Sequence, residues 1–142
     1  MHRALLSGAD FTGAHLQSAN LVGALAEQAC FDRADLSRGR LSGANLVSSS
    51  LEDACLAKAE MEFALAGNSV LGGACLREAE MSGAQLDAAV LTGADLRKAN
   101  LRGAGFRDAR LDAADLRDAR LGGAVLVGTS LRGADFAVRI CG

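Results

Sequence analysis

Side chains that can move a proton, attack a carbon or hold a metal are the first thing to look for, and this sequence of 142 residues is short of the most versatile ones. Its two histidines, His2 and His15, both lie near one end, so a Ser-His-Asp arrangement has little material. The four cysteines, Cys30, Cys55, Cys75 and Cys141, form no CxxC pair. A zinc site needs about four ligands, and this inventory offers no such cluster. No GxxxxGK[ST] loop is present to cradle a phosphate. The sequence therefore points to no catalytic residue, no cofactor and no metal ligand, and an enzyme is not expected.

Charge is the remaining chemistry. Lys and Arg number 15 against 17 Asp and Glu, a net of -2 with pI about 5.6. That balance excludes a generally basic nucleic-acid binder, so no direct nucleic-acid binding is expected, and it excludes an acidic disordered chain. The distribution is uneven. Residues 52–87 carry seven acids (Glu52, Asp53, Glu60, Glu62, Glu78, Glu80, Asp87) against Lys58 and Arg77, a net of -5, whereas residues 97–120 carry seven bases against four Asp. Two readings follow. In one, neighbours such as Asp95 with Arg97 and Asp115 with Arg117 compensate along a solvated face. In the other, Glu52, Asp53, Glu60, Glu62, Glu80 and Asp87 form an acidic surface that steers a basic partner groove. No apolar run reaches the roughly 18 residues of a membrane span. Residues Met1 to Leu6 lack the apolar stretch of a secretion signal, which predicts a cytoplasmic protein with reduced thiols.

The elements that position these groups come from a repeat. Half the residues are apolar, yet the only aromatics are five Phe, with no Trp, Tyr or Pro. Of the 28 positions taken every fifth residue from Leu6 to Cys141, 19 are Leu, four Phe and two Met, leaving Ala26, Ala66 and Cys141. Two residues before each, 23 of 28 are Ala, and of the 27 positions two residues after, 11 are Gly. A period of five fits neither the roughly 3.6 of a helix nor the roughly 2.0 of a long strand. A short extended segment followed by a turn does satisfy it. Ala and Leu two apart then face inward together, the residues around them face water, and Gly suits the corner. Like residues recur twenty apart, as in Cys55/Cys75, Glu60/Glu80, Met61/Met81, Val70/Val90, Arg77/Arg97/Arg117 and Asp95/Asp115/Asp135, which favours four sides per coil.

Runs such as Ala94-Asp95-Leu96-Arg97-Lys98, Ala99-Asn100-Leu101-Arg102-Gly103 and Ala114-Asp115-Leu116-Arg117-Asp118 resemble the A-(D/N)-L-x-x unit of the pentapeptide-repeat family. The resemblance spans essentially residues 1–142 as one domain. It implies an all-β fold, a right-handed quadrilateral β-helix of about seven coils, roughly 34 Å long at a spacing of ~4.8 Å. It also implies a non-enzymatic scaffold or protein-interaction module whose partner is unspecified. Some members of the family, the quinolone-resistance proteins, are shaped and charged like B-form DNA, bind DNA gyrase and protect it from inhibitors, which is the alternative. Against that pattern this chain has a net charge of only -2, no inserted loop and a ladder of Arg77, Arg97 and Arg117.

Departures from the repeat mark candidate sites. Leu25 and Leu65 each precede a small Ala where a polar residue is expected, Phe63 occupies an outward position, and Val70 and Val90 stack on the next face. Either Leu25 and Leu65 turn inward to fill space left by Ala26 and Ala66, or Leu25, Phe63, Leu65, Val70 and Val90 form an apolar patch for a partner or a second copy. Cys55 and Cys75 should lie on adjacent coils; in-register neighbours lack ideal disulfide geometry, so small tolerated surface positions are expected rather than a redox pair. A stacked column leaves open edges at its ends. Tails could fold over them, the chain could be cut from a longer protein, or a homodimer could form by end or side contact, with Ile140 and Cys141 as the candidate C-terminal contact. A designed repeat would also suit so unbroken a register, but the irregular Ala26 and Ala66 argue for a natural history.

Overall fold

The computed structural model describes residues 3–137. Among them every fifth residue forms an isolated parallel bridge to the residue twenty further on, from Leu5 with Leu25 to Asp115 with Asp135. Four pentapeptides therefore complete one coil, and the chain winds as a right-handed quadrilateral β-helix. The bridging residues define four faces. The first runs through Leu25, Asn45, Leu65 and Gln85, the second through Cys30, Ser50, Val70 and Val90. The third passes Asp35, Cys55, Cys75, Asp95 and Asp115, and the fourth Arg40, Glu60, Glu80 and Asn100.

Backbone hydrogen bonds hold the coils together. Around Leu36, the Leu36 N–H donates to the Cys55 carbonyl at 2.7 Å and the Arg38 N–H to Ala57 at 2.9 Å, while the Asp35 N–H donates back to Ala14 at 2.9 Å. A fourth bond, Gly39 N–H to Leu36 carbonyl at 2.9 Å, closes the turn. Such a turn places its third residue at positive φ. Glycine supplies that conformation at eleven corners, but sixteen non-glycine residues adopt it too, from Arg3 to Asp118 with φ between 55 and 62°. The corner is thus imposed on the sequence by the stacking. Each residue with a Cβ held there costs about 1–2 kcal/mol relative to its relaxed state.

One N–H per pentapeptide, that of the residue after Leu, has no carbonyl partner in this scheme. The Asp or Asn two residues earlier accepts it: the Thr12 N–H donates to Asp10 at 2.9 Å, that of Ser37 to Asp35 at 3.0 Å, that of Val47 to Asn45 at 3.1 Å and that of Arg97 to Asp95 at 3.2 Å. This Asx turn is the physical reason for the D/N position of the repeat. Elsewhere an Asp at the turn position serves the coil above, as Asp32 accepts from Glu52 N–H and Asp112 from Arg132 N–H, both at 3.0 Å.

Inside, the Leu and Ala rows of the central coils are fully buried. Phe31 fills its inward position, and Phe11 stacks on it with ring centroids 5.1 Å apart. Ser49 and Ser69 replace Ala in the buried row, their hydroxyls donating to the Leu46 and Ala66 carbonyls at 2.7 and 2.6 Å. These substitutions are satisfied locally. We expect Ser69→Ala to cost about 1 kcal/mol or less, and Leu76→Ala, which empties a fully buried row, to cost about 2–5 kcal/mol. Urea unfolding followed by circular dichroism measures both.

Candidate interaction surface

A convex column presents its function on its outside, and here the outward residues form a grid fixed by the coils. On the third face, Asp and Arg alternate. Arg97 grips Asp95 with Nε and Nη2 at 2.8 and 2.7 Å and reaches Asp115 at 3.5 Å; Arg117 grips Asp115 at 2.8 and 2.6 Å and reaches Asp135 at 3.8 Å. Each guanidinium thus joins its own coil to the next. The Arg97 guanidinium holds Asp95 below the usual carboxylate range, and Arg117 does the same to Asp115. Asp10 and Asp35 are lowered chiefly by bonds from Thr12 and Ser37. For Asp32, burial pushes upward, but bonds from Ser50 and the Glu52 N–H outweigh it. Every resolved carboxyl shift is downward, the opposite of what a general acid requires.

The acidic residues of the 52–87 block divide among faces. Glu52 and Asp53 stand after the second face, Glu60, Glu80 and Glu62 on and beside the fourth, and Asp87 beside the first. Arg40 pairs with Glu60 at 3.4 Å, Ser42 donates to Glu62 at 2.7 Å, Asn100 donates to Glu80 at 2.9 Å, and Asp87 accepts from Arg107 N–H at 3.0 Å. The coil geometry therefore brings Glu60, Glu62 and Glu80 together and sets Glu52 and Asp53 apart from them.

The apolar departures also resolve. Leu25 and Leu65 point outward, 43% and 42% exposed, while Ala26 and Ala66 stay buried beneath the same face. Inward turning of the two leucines does not occur. Phe31 stands one side after Ala26 and Met61 one side before Ala66, and all four are buried. Leu25 and Leu65 share the first face with Asn45 between them. Phe63, 70% exposed, sits at the corner leading onto that face. Val70 and Val90 pair with each other on the second face and are half-buried, so they do not join the other three. Apart from Arg3 in the first coil, the Phe63 corner is otherwise glycine: Gly23, Gly43, Gly83, Gly103 and Gly123 occupy it, all at positive φ. Phe63 adopts φ 58° there, and a Cβ built on Gly83 would lie 2.6 Å from its ring. That interrupted glycine column, visible at a spacing of twenty, is the signal that singles out Gly83 as the support beneath the ring. Ile140 and Cys141 lie outside the described residues.

A family model described as pentapeptide repeats matches residues 1–33, 29–64, 67–103 and 104–137. The chain belongs to the pentapeptide-repeat family. A comparison with curated protein sequences finds no match. Among solved structures, the pentapeptide-repeat protein Rfr23 of the cyanobacterium Cyanothece 51142 is 33% identical, with TM-score 0.48, over 72% of this chain and 64% of that one, so this chain spans just under two thirds of Rfr23. The pentapeptide-repeat protein alr5209 of Nostoc Pcc 7120 is 26% identical over 93% of this chain and 100% of that one, with TM-score 0.51. Full-length QnrB1, a plasmid-mediated fluoroquinolone resistance protein, is 19% identical over 96% and 74% with TM-score 0.51, a likeness of fold alone.

Other groups on the pentapeptide-repeat column are separate from the apolar corner. Cys55 and Cys75 are bridge partners and free thiols, and burial pushes the Cys55 thiol up, away from the reactive thiolate. Cys30 accepts or donates a bond with Thr12 Oγ1 at 3.2 Å. An open groove between the third and fourth faces is lined by Glu78, Glu80, Lys98, Asn100, Asp118 and Arg120, a mixture of both charges. Among the described residues no group of three or more His, Cys, Asp or Glu is placed to hold a metal, and no helix is long and apolar enough to cross a membrane.

The lowered carboxyls set a pH dependence. Their folded-state values lie below the ordinary 3.8, so the stability they add is complete above that value and is lost as pH falls below it toward the folded-state values. Asn keeps the Asx-turn acceptor but not the charge. We expect the Asp95→Asn/Asp115→Asn double variant to be less stable than the parent at neutral pH and to show a shallower loss below pH 3.8, so that the two converge in acid, read by thermal unfolding across an acid pH series.

Proposed function

We propose that this chain is a non-enzymatic, rigid interaction module that presents a fixed grid of outward side chains to a protein partner, in the cytoplasm. The observation that carries this reading is the division of labour in the coils. Backbone bonds between adjacent coils and the buried Leu and Ala rows hold the column. Most outward side chains are thereby released from structural duty, and recognition needs such freely variable positions on a preorganised surface. The exposed Leu25, Phe63 and Leu65 serve no purpose in the core and suit that use.

A second reading, protection of DNA gyrase by an acidic rod, is favoured by the seven acids between residues 52 and 87. The division of those acids among faces, and the neutralisation of Asp95 and Asp115 by Arg97 and Arg117, weigh against it. We expect no effect of micromolar protein on gyrase supercoiling, with or without a fluoroquinolone; protection would instead establish the second reading. For the leading one, the column is immobilised beside a control whose exposed outward residues are replaced by Ser and Thr while inward and Asx-turn residues are kept. From host extract we expect at least one protein to bind the native surface saturably and the control not at all. Equal capture by both would contradict the proposal.

A further inference from the structure

Among the described residues, Phe63 is the one large apolar side chain at a positive-φ corner. Its corner is glycine in five other coils, its own φ is 58°, and most of its ring is exposed. The ring lies over the bare backbone of Gly83, and Leu65 follows two residues on, on the adjoining face. A large apolar side chain left exposed where it adds nothing to the core is a mark of recognition rather than of stability. The charges around it are one-sided. Within one coil of Phe63, on the two faces that meet at its corner and at the corner itself, the charged residues are Glu60, Glu62 and Glu80 against Arg40 alone, and Arg40 is already paired with Glu60.

We infer that the Phe63–Leu65 corner docks a segment of a partner protein in which an apolar side chain is flanked by Lys or Arg. This deepens, and rests on, the interaction-module reading. The apolar pair supplies the desolvated anchor on which binding energy concentrates. The surrounding carboxylates set the sign of the partner, speed its approach and reject acidic competitors. A second copy fits poorly, because a two-fold contact here would set these carboxylates against their own images.

The test uses random peptides displayed on phage, selected on the immobilised chain; the enriched peptides are then labelled and titrated by fluorescence anisotropy. Enriched peptides should pair an aromatic or aliphatic residue with Lys or Arg and weaken as salt is raised. Phe63→Gly should weaken them by about tenfold or more while leaving the thermal midpoint unchanged or higher, since glycine suits the corner. Leu65→Glu should do the same to binding. The inference is overturned by acidic or neutral peptides, by equal binding to Phe63→Gly, by absence of enrichment, or by a native dimer that Phe63→Gly converts to monomer. Equal binding to Phe63→Gly would leave the interaction module standing on another face. Failure of both peptides and extract proteins to prefer the native surface over the Ser/Thr-faced control would remove the module itself.

Discussion

Everything in this molecule hangs on the backbone hydrogen bond between residues one coil apart. Three of the five N–H groups in a typical pentapeptide of the central column donate to a neighbouring coil at 2.6–3.1 Å, and a fourth closes the turn. The arrangement is quasi-one-dimensional, each coil resting only on those beside it, so stability accumulates coil by coil. It also fixes where side chains point, because a bridge in register leaves one outward residue per side and two at each corner.

The cost and the opportunity both fall at the corners. Left-handed backbone is imposed on sixteen residues other than glycine, and the stacking bonds donated by those same residues offset the strain. The Asp or Asn of the repeat answers the one N–H left over, so a residue type that looks like surface chemistry is first a structural acceptor. Its charge then becomes available for a second use, as on the third face, where Arg97 and Arg117 tie neighbouring coils through Asp95 and Asp115. Phe63 belongs to neither scheme. It neither completes the core nor relaxes the corner, and the interaction module proposed above is what gives it a use.

Much of this could be read from the sequence. The period of five, the inward Leu and Ala rows, the twenty-residue coil and the Asp95/Arg97 and Asp115/Arg117 pairs follow from residue types and spacing, because a solenoid repeats its environment as faithfully as its sequence. What could not be read was set by three-dimensional choice within a coil. Whether Leu25 turned in or out depended on the bridge register, which makes Leu25 an outward residue and Ala26 the inward one. The acids of residues 52–87 are close in sequence, yet the corners send Glu52 and Asp53 to one side and Glu60, Glu62 and Glu80 to another. The non-glycine corners were also hidden, since local preference alone would have reserved positive φ for the eleven glycines.

The most direct test of the claim that backbone stacking, with Asx turns supplying the remaining N–H, holds the column is amide hydrogen exchange resolved residue by residue. The account predicts protection with a period of five in the central coils. The Leu, corner and bridging amides should be the slowest. The amide after each Leu should be slow at Ser37, Val47 and Arg97, where an Asp or Asn accepts it. It should be fast at Gly67, Gly72 and Thr92, which follow Leu65, Val70 and Val90 by two residues and so lack that acceptor. Uniform protection, or protection at Gly67, Gly72 and Thr92 equal to that at Ser37, Val47 and Arg97, would contradict it.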